Sequence, residues 1–246
     1  MRLKYLFAGV VAIGAAACTP KTVMPELGRV VVDTTFRAGP MNLAVQYDFA
    51  SILNAADVPA LEAIEQANIE SFFGLEAFAG SAREAARHSI DRLAAQAAAA
   101  ADIDRAPFDA HVTAVAEATV VDTVLVYSVS FSEYTGGAHG MHGQHVRNYS
   151  LPGGYRLELC DLFDEMQMQG LRQLVREKLY AQFGVSSDEG LAEQGFFPEY
   201  IDTTENFAVT PEGGIVFYYN PYDIGCYALG SIDVAVGAAE IAALKR

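Results

Sequence analysis

Thr123-Val-Leu-Val-Tyr-Ser-Val-Ser-Phe-Ser-Glu-Tyr-Thr-Gly-Gly-Ala-His-Gly140 decides the fold, because it joins a clearly alternating strand to a glycine-rich end. Apolar and aromatic residues alternate with serines from Leu125 to Ser132, which is the period-two pattern of a half-buried strand. Residues 111–121 are rich in Val and Thr, and residues 144–151 are again strand-like. These neighbouring runs predict an antiparallel sheet in the middle of the chain.

Strands and helices form separate runs along the rest of the chain. Residues 41–52 alternate like a half-buried strand, and the turns Pro152-Gly153-Gly154 and Pro211-Glu-Gly-Gly214 each join two strand-like runs into a hairpin. Apolar residues elsewhere recur at helical spacing. The predicted helices are 59–78, 81–101 and 171–184. We therefore expect an α+β fold, with an antiparallel sheet built from hairpins and helices packed on it in separate blocks.

The first 17 residues have the pattern of a secretory signal peptide. Arg2 and Lys4 precede an apolar stretch that is shorter than the about 20 residues a membrane-spanning helix needs. The stretch stops at Cys18 after small residues, as in lipoprotein signals, so we expect Cys18 to carry acyl chains such as palmitate. Because Thr19 is not acidic, similarity to Gram-negative lipoproteins favours the outer membrane, on its periplasmic or surface side. The alternative is ordinary cleavage after Ala15-Ala16-Ala17, which would release a free secreted protein.

Residues 18–40 are predicted to be a tether between the lipid anchor and the fold. They contain several Pro and Gly residues and show little periodicity. The domain proper is expected to begin at residue 41 and to stay outside the cytoplasm.

The charge of the chain limits the classes of partner that it can bind. It has 16 Lys plus Arg against 31 Asp plus Glu, and residues 1–17 hold two of these cations and no acid, so the mature chain has a formal charge of −17. Nucleic acid binding requires a basic stripe, which this sequence does not have. A cationic protein would be attracted over long range by such a field, although an acidic surface also simply keeps a protein soluble.

Two cysteines follow Cys18 in the sequence. Cys160 and Cys226 each fall in a strand-like segment, in a compartment that permits disulfides. A bridge between them and a pair of buried free thiols are both compatible with the sequence.

The segment Tyr134–Gly140 holds the first candidate site residues. Gly136 and Gly137 permit positive φ and a close backbone approach, so the loop can present Tyr134 and His139 on a rim. The alternative is a tight connection whose histidine caps the sheet.

A second candidate surface is the turn at Pro221 and Tyr222. Tyrosine suits binding surfaces, because its ring offers rigid apolar area and its hydroxyl offers a hydrogen bond. Four tyrosines occur close together here, and Tyr222 is the one we expect to be exposed. The four are Tyr218, Tyr219, Tyr222 and Tyr227.

Metal and enzyme chemistry receive little support from the sequence. His139, His142 and His145 are three apart across a loop and a strand, where alternate residues face opposite ways, so we do not expect them to converge on a metal. The sequence has no Gly-x-Ser-x-Gly elbow, no His-Glu-x-x-His and no phosphate-binding glycine loop. We expect a non-catalytic binding module without a cofactor. The alternatives are a metal-dependent or hydrolytic enzyme using His139, and a structural scaffold of the cell envelope.

Three segments in this order and spacing carry a family resemblance. They are Ser132–Gly140, Leu157–Phe163 and Phe207–Gly230. Together they resemble the RsiV-like domain of unknown function, which the anti-sigma factor RsiV shares with the non-catalytic part of the peptidoglycan deacetylase PdaC. The resemblance divides the fold into residues 41–109, similar to the companion domain, and residues 110–246, similar to the RsiV-like domain.

The resemblance implies an extracytoplasmic α+β module whose partner is a cationic protein such as lysozyme, or a cell-wall component. The printed sequence contains neither a sigma-binding segment nor a deacetylase domain, so we expect neither of those activities.

Overall fold

The computed structural model describes residues 22–99 and 106–245. Six strands form one sheet in chain order, and neighbouring strands are antiparallel except for one parallel pair, β2 with β3. The strands are β1 (Leu27–Ala38), β2 (Met41–Ile52), β3 (Phe108–Val121), β4 (Val124–Tyr134), β5 (Met141–Ser150) and β6 (Arg156–Leu157). The predicted α+β class, with a mostly antiparallel sheet and helices in separate blocks, is confirmed.

Two helices, α1 (Pro59–Phe73) and α2 (Ala82–Ala99), connect β2 to β3 and enclose the first core against the sheet. The rings of Phe49, Phe72 and Phe73 meet edge-on or tilted, with centroids 4.8–5.5 Å apart. Such pairs contribute about 1 kcal/mol each beyond the area they bury. The hydroxyl of Tyr47 lies 3.0 Å from Ser89 Oγ, so a buried hydrogen bond ties α2 to β2.

A second unit follows β6 and has its own core. Its elements are α3 (Leu159–Leu162), α4 (Glu165–Phe183), α5 (Asp188–Glu193), β7 (Phe207–Val209), β8 (Ile215–Tyr219), β9 (Ile232–Val236) and α6 (Ala238–Leu244). Strands β7, β8 and β9 form a three-stranded antiparallel sheet. Helix α4 packs its apolar side chains into the core of this unit, where Leu171, Val175 and Leu179 are fully buried.

Strand β1 occupies residues that the sequence assigned to the tether, so that prediction is wrong over 27–38. Val30 and Val32 face the first core, as in an ordinary edge strand. Val31 lies on the solvent face and is 62% exposed. An apolar residue on the outer face removes the alternation by which the sequence could have revealed the strand.

The boundary predicted between residues 109 and 110 falls inside β3. Residues of β2 and β3 pair across it, so one sheet continues through the boundary. The hydrophobic cores separate later, because the first core reaches Leu151 and the second begins at Leu159. The chain therefore passes from the first core to the second over residues 152–158.

The predicted signal peptide and Cys18 lie outside the described residues. Among the helices that the structure describes, none is long and apolar enough to cross a membrane.

Candidate functional site

The loop after β4 and the turn at Pro221–Tyr222 meet in space. The ring of His139 stacks on that of Tyr227, with centroids 4.1 Å apart and an interplanar angle of 28°. The Tyr222 hydroxyl lies 3.4 Å from His139 Nε2, and its ring centroid is 5.6 Å from that of Tyr227. His142 meets Tyr227 edge-on at 5.8 Å. We call His139, His142, Tyr222 and Tyr227 the aromatic cluster.

The loop from Tyr134 to Gly140 is folded on itself beneath this cluster. Gly136 and Gly137 have φ values of 111° and 110°, a region that disfavours residues with a Cβ. The Tyr134 hydroxyl donates to the Gly137 carbonyl at 3.2 Å, so Tyr134 closes the loop. The Gly140 carbonyl accepts from the Tyr227 hydroxyl at 2.8 Å and lies 2.9 Å from His139 Nδ1.

Tyr222 is held in an unfavourable backbone conformation. Its φ of 77° is in the left-handed region, which costs a non-glycine residue about 1–3 kcal/mol. The turn around it is closed by two hydrogen bonds between Asn220 and Asp223, at 2.7 Å and 3.0 Å. With the backbone so fixed, the Tyr222 ring is half exposed beside His139.

Asparagine side chains of the second unit join it to the edge of β5 and so position the cluster. Asn206 Oδ1 accepts from the Val146 N–H at 2.7 Å, and its Nδ2 donates to the carbonyls of Gln144 and Tyr218 at 2.8 Å and 2.9 Å. Asn220 Oδ1 accepts from the Gln144 N–H at 2.7 Å. A side-chain amide carries the same donor and acceptor as a peptide group. These amides therefore take the place of a neighbouring strand along this edge.

A third asparagine completes the junction from the other side. Asn148 of β5 is buried, donates to the Phe207 carbonyl at 2.7 Å and accepts from the Val209 N–H at 3.1 Å. None of the three asparagines stands out in the sequence, because their partners across the junction are 59 to 76 residues away along the chain.

The three histidines do not converge. His139 and His142 belong to the aromatic cluster, whereas His145 stacks on Phe131 at 5.1 Å on the face of the sheet that carries α1 and α2. In the part of the chain that the structure describes, no three His, Cys, Asp or Glu side chains lie close enough together to hold a metal.

The free energy of unfolding is expected to decrease as the pH is lowered, because of the His145 imidazole. Burial lowers the pKa of its imidazole, the Arg147 charge lowers it further, and Asp223 opposes both. The folded state therefore binds the proton less well than the unfolded state, whose histidine pKa is about 6.5. Below that pH the wild-type chain should lose unfolding free energy that a His145→Gln variant keeps. Urea titrations at several pH values measure this, and a difference between the two chains that does not change with pH would contradict it.

Cys160 and Cys226 are free thiols, so the possible bridge is not formed, and Cys160 is not buried either. The strand assignments behind it are also wrong. Cys160 is exposed and lies in α3. This helix begins at Leu159, because Glu158 and Asp161 form a capping box at its first turn. Cys226 lies in the loop after β8, half-buried beside Gly195.

Comparisons with known proteins bear on the second unit and on the fold. A family model described as "Protein of unknown function (DUF3298)" matches residues 160–238. No curated protein sequence matches the chain. A member of this family from Bacteroides fragilis has a similar structure, with a TM-score of 0.75 at 22% identity, over 90% of this chain and 93% of that one.

A second solved structure, of a DUF3298 family protein from Pseudomonas aeruginosa, gives a TM-score of 0.63 at 17% identity, over 90% of this chain and 94% of that one. At such identities the similarity concerns the fold. The predicted resemblance to a domain of unknown function is confirmed. The chain carries a DUF3298 match at residues 160–238 and shares its fold with solved members of that family.

Proposed function

We propose that this protein is a non-catalytic binding module of the bacterial cell envelope, and that its partner is a cationic protein such as a lysozyme. The observation that carries the proposal is the aromatic cluster. Two loops distant in sequence present half-exposed tyrosine and histidine rings at one place, and the cluster includes a strained Tyr222. Strain of this kind persists where the surrounding structure enforces it, and it concentrates at functional sites.

The contacts of His139 hold its ring as part of a surface made of aromatic side chains. The Nδ1 atom of His139 lies against the backbone carbonyl of Gly140, and its Nε2 faces the Tyr222 hydroxyl. Its ring is covered on one side by Tyr227. This surface resembles a recognition patch, in which aromatic side chains bring large contact area with little loss of entropy.

The charge of the chain supports the choice of partner. The mature chain carries a formal charge of −17, and a field of that sign raises the association rate of a cationic protein. A cell-wall component is the second ligand class compatible with the patch, since sugars also bind to tyrosine rings.

Binding is expected to depend on Tyr222. A Tyr222→Gly variant removes the ring and also relieves the positive φ, so the fold is retained. We expect it to weaken binding to a cationic lysozyme at least about ten-fold, the loss of a buried aromatic contact worth about 1.4 kcal/mol. Biolayer interferometry measures the affinity, with His139→Ala as a second cluster variant.

The control is Tyr200→Ala, because Tyr200 is 64% exposed and packs on Phe197 outside the cluster. If Tyr200→Ala and Tyr222→Gly weaken binding equally, or if neither weakens it, the aromatic cluster is not part of the interface.

We further propose that Cys18 anchors the module to the outer membrane through acyl chains. Metabolic labelling with a palmitate analogue tests this, and we expect the wild-type chain to be labelled and a Cys18→Ser variant to remain unlabelled. Label in neither chain would argue for a free secreted protein, and label in both would place the acyl chains on a residue other than Cys18.

A further inference from the structure

A narrow cleft lies between β5 and the paired strands β8 and β9, next to the aromatic cluster. Its volume is about 140 Å³, and it is lined by Phe131, His142, Gln144, Tyr218, Ser231 and Asp233, among others. Pockets for whole small-molecule ligands begin at about 300 Å³, whereas one water occupies about 30 Å³. The cleft therefore has room for the end of one long side chain.

Asp233 is the carboxylate that lines this cleft, and it has no counter-ion among the described residues. The ion pairs formed within residues 22–99 and 106–245 involve four other carboxylates and leave Asp233 without one. Although Asp233 is a solvent-exposed residue, partial burial of its carboxyl raises the pKa of that group, and no hydrogen bond within the described residues offsets this effect. A carboxylate that is partly withdrawn from water and lacks a partner is stabilised when a cation reaches it.

The walls of the cleft suit the same kind of group. Tyr218 lies directly opposite Asp233 across the β8–β9 pair, and Phe131 and His142 line the other side. Aromatic faces attract guanidinium and ammonium ions. The cleft thus combines one negative charge with rings that favour a cation.

We propose that this cleft binds a single arginine or lysine side chain of the partner, with its cationic head on Asp233 and its methylene stem along Tyr218. The inference rests on the proposed function, because it specifies what that binding surface recognises. His142 links the two features, since it lines the cleft and also packs on Tyr227 of the aromatic cluster.

The test measures a minimal probe and its neutral isostere. Equilibrium dialysis of the detergent-solubilised full chain at about pH 8, above the ordinary histidine pKa of about 6.5, gives the affinity for L-argininamide and for L-citrullinamide. We expect argininamide to bind at least ten-fold more tightly than citrullinamide. Asp233→Asn, which keeps the shape of the side chain, should lower argininamide affinity at least ten-fold. Asp57→Asn, the same change at an exposed carboxylate elsewhere, should leave it unchanged.

Equal affinity for the two amides, absence of argininamide binding, or an Asp233→Asn variant that binds like the wild type would overturn the inference. Circular dichroism and the urea midpoint show whether Asp233→Asn is folded. If that variant is destabilised, the argininamide to citrullinamide ratio on the wild-type chain decides alone.

Lysozyme capture by the same variants separates this inference from the function on which it rests. Equal binding of lysozyme by the wild type and by Asp233→Asn would contradict the cation-binding role of the cleft. It would not contradict the proposed binding function. Argininamide binding that depends on Asp233, without any lysozyme binding, would support the cleft and overturn lysozyme as the partner.

Discussion

Replacing Asn206 by alanine is expected to lower the free energy of unfolding by about 3 kcal/mol, because the side-chain amide makes three hydrogen bonds worth about 1 kcal/mol each. Its acceptor satisfies the Val146 N–H, and its donors reach one carbonyl in each unit, those of Gln144 and Tyr218. Alanine leaves these half-buried groups without their partner, and the junction between the two units opens. Urea unfolding followed by circular dichroism measures the loss.

The matched control is Asn42→Ala, which removes a single exposed hydrogen bond to Asp109 on the first sheet. It should change the unfolding free energy by no more than about 0.5 kcal/mol. If Asn206→Ala is as mild as Asn42→Ala, the asparagine junction does not hold the units together.

Replacing Arg176 by alanine is expected to lower the free energy of unfolding by about 3 kcal/mol. Its guanidinium donates to both carboxylate oxygens of Asp188 at 2.6 Å and to the carbonyls of Pro198 and Ile201 at 3.2 Å and 3.1 Å. Hydrogen bonds to charged groups contribute about 1.5–3 kcal/mol, and the ones here link α4 to the start of α5 and to the loop that follows it. The variant should unfold at lower urea, starting from the second unit.

Arg172→Ala, one turn earlier on α4, provides the comparison. The Arg172–Asp202 pair is more exposed, and its salt bridge at 3.0 Å is the type that contributes at most about 1 kcal/mol. Arg176→Lys should fall between the two, because lysine keeps the charge but not the planar fork. Losses of equal size at both positions would mean that the carbonyl contacts of Arg176 add nothing.

The sequence predicted those parts of the fold whose pattern follows from local burial. The alternation from Leu125 to Val129 and the helical stripe of Leu171, Val175 and Leu179 both face a core in the structure. Strand β1 escaped prediction because Val31 is apolar on a solvent face. Cys160 was assigned to a strand because apolar residues flank it, whereas the capping box of Glu158 and Asp161 starts a helix there.

For the candidate site, the residue types were predictable but their meeting was not. Glycine and histidine at 136–139, and tyrosine after proline at 221–222, each stand out in the sequence as loop features. Their contact depends on Asn220, which hydrogen-bonds to Gln144 across 76 residues of chain. Such pairing is a tertiary property, and single-sequence periodicity carries no information about it.

Isothermal titration calorimetry of the wild-type chain with a cationic lysozyme, at about 0.1 M and about 1 M salt, is the most direct measurement of the proposed function. The screening length falls from about 10 Å to about 3 Å between these conditions. We expect binding at the lower salt that weakens at least ten-fold at the higher one, because a chain of formal charge −15 attracts this partner. The absence of binding at low salt, or tight binding that salt does not change, would contradict recognition of a cationic protein by this negative surface.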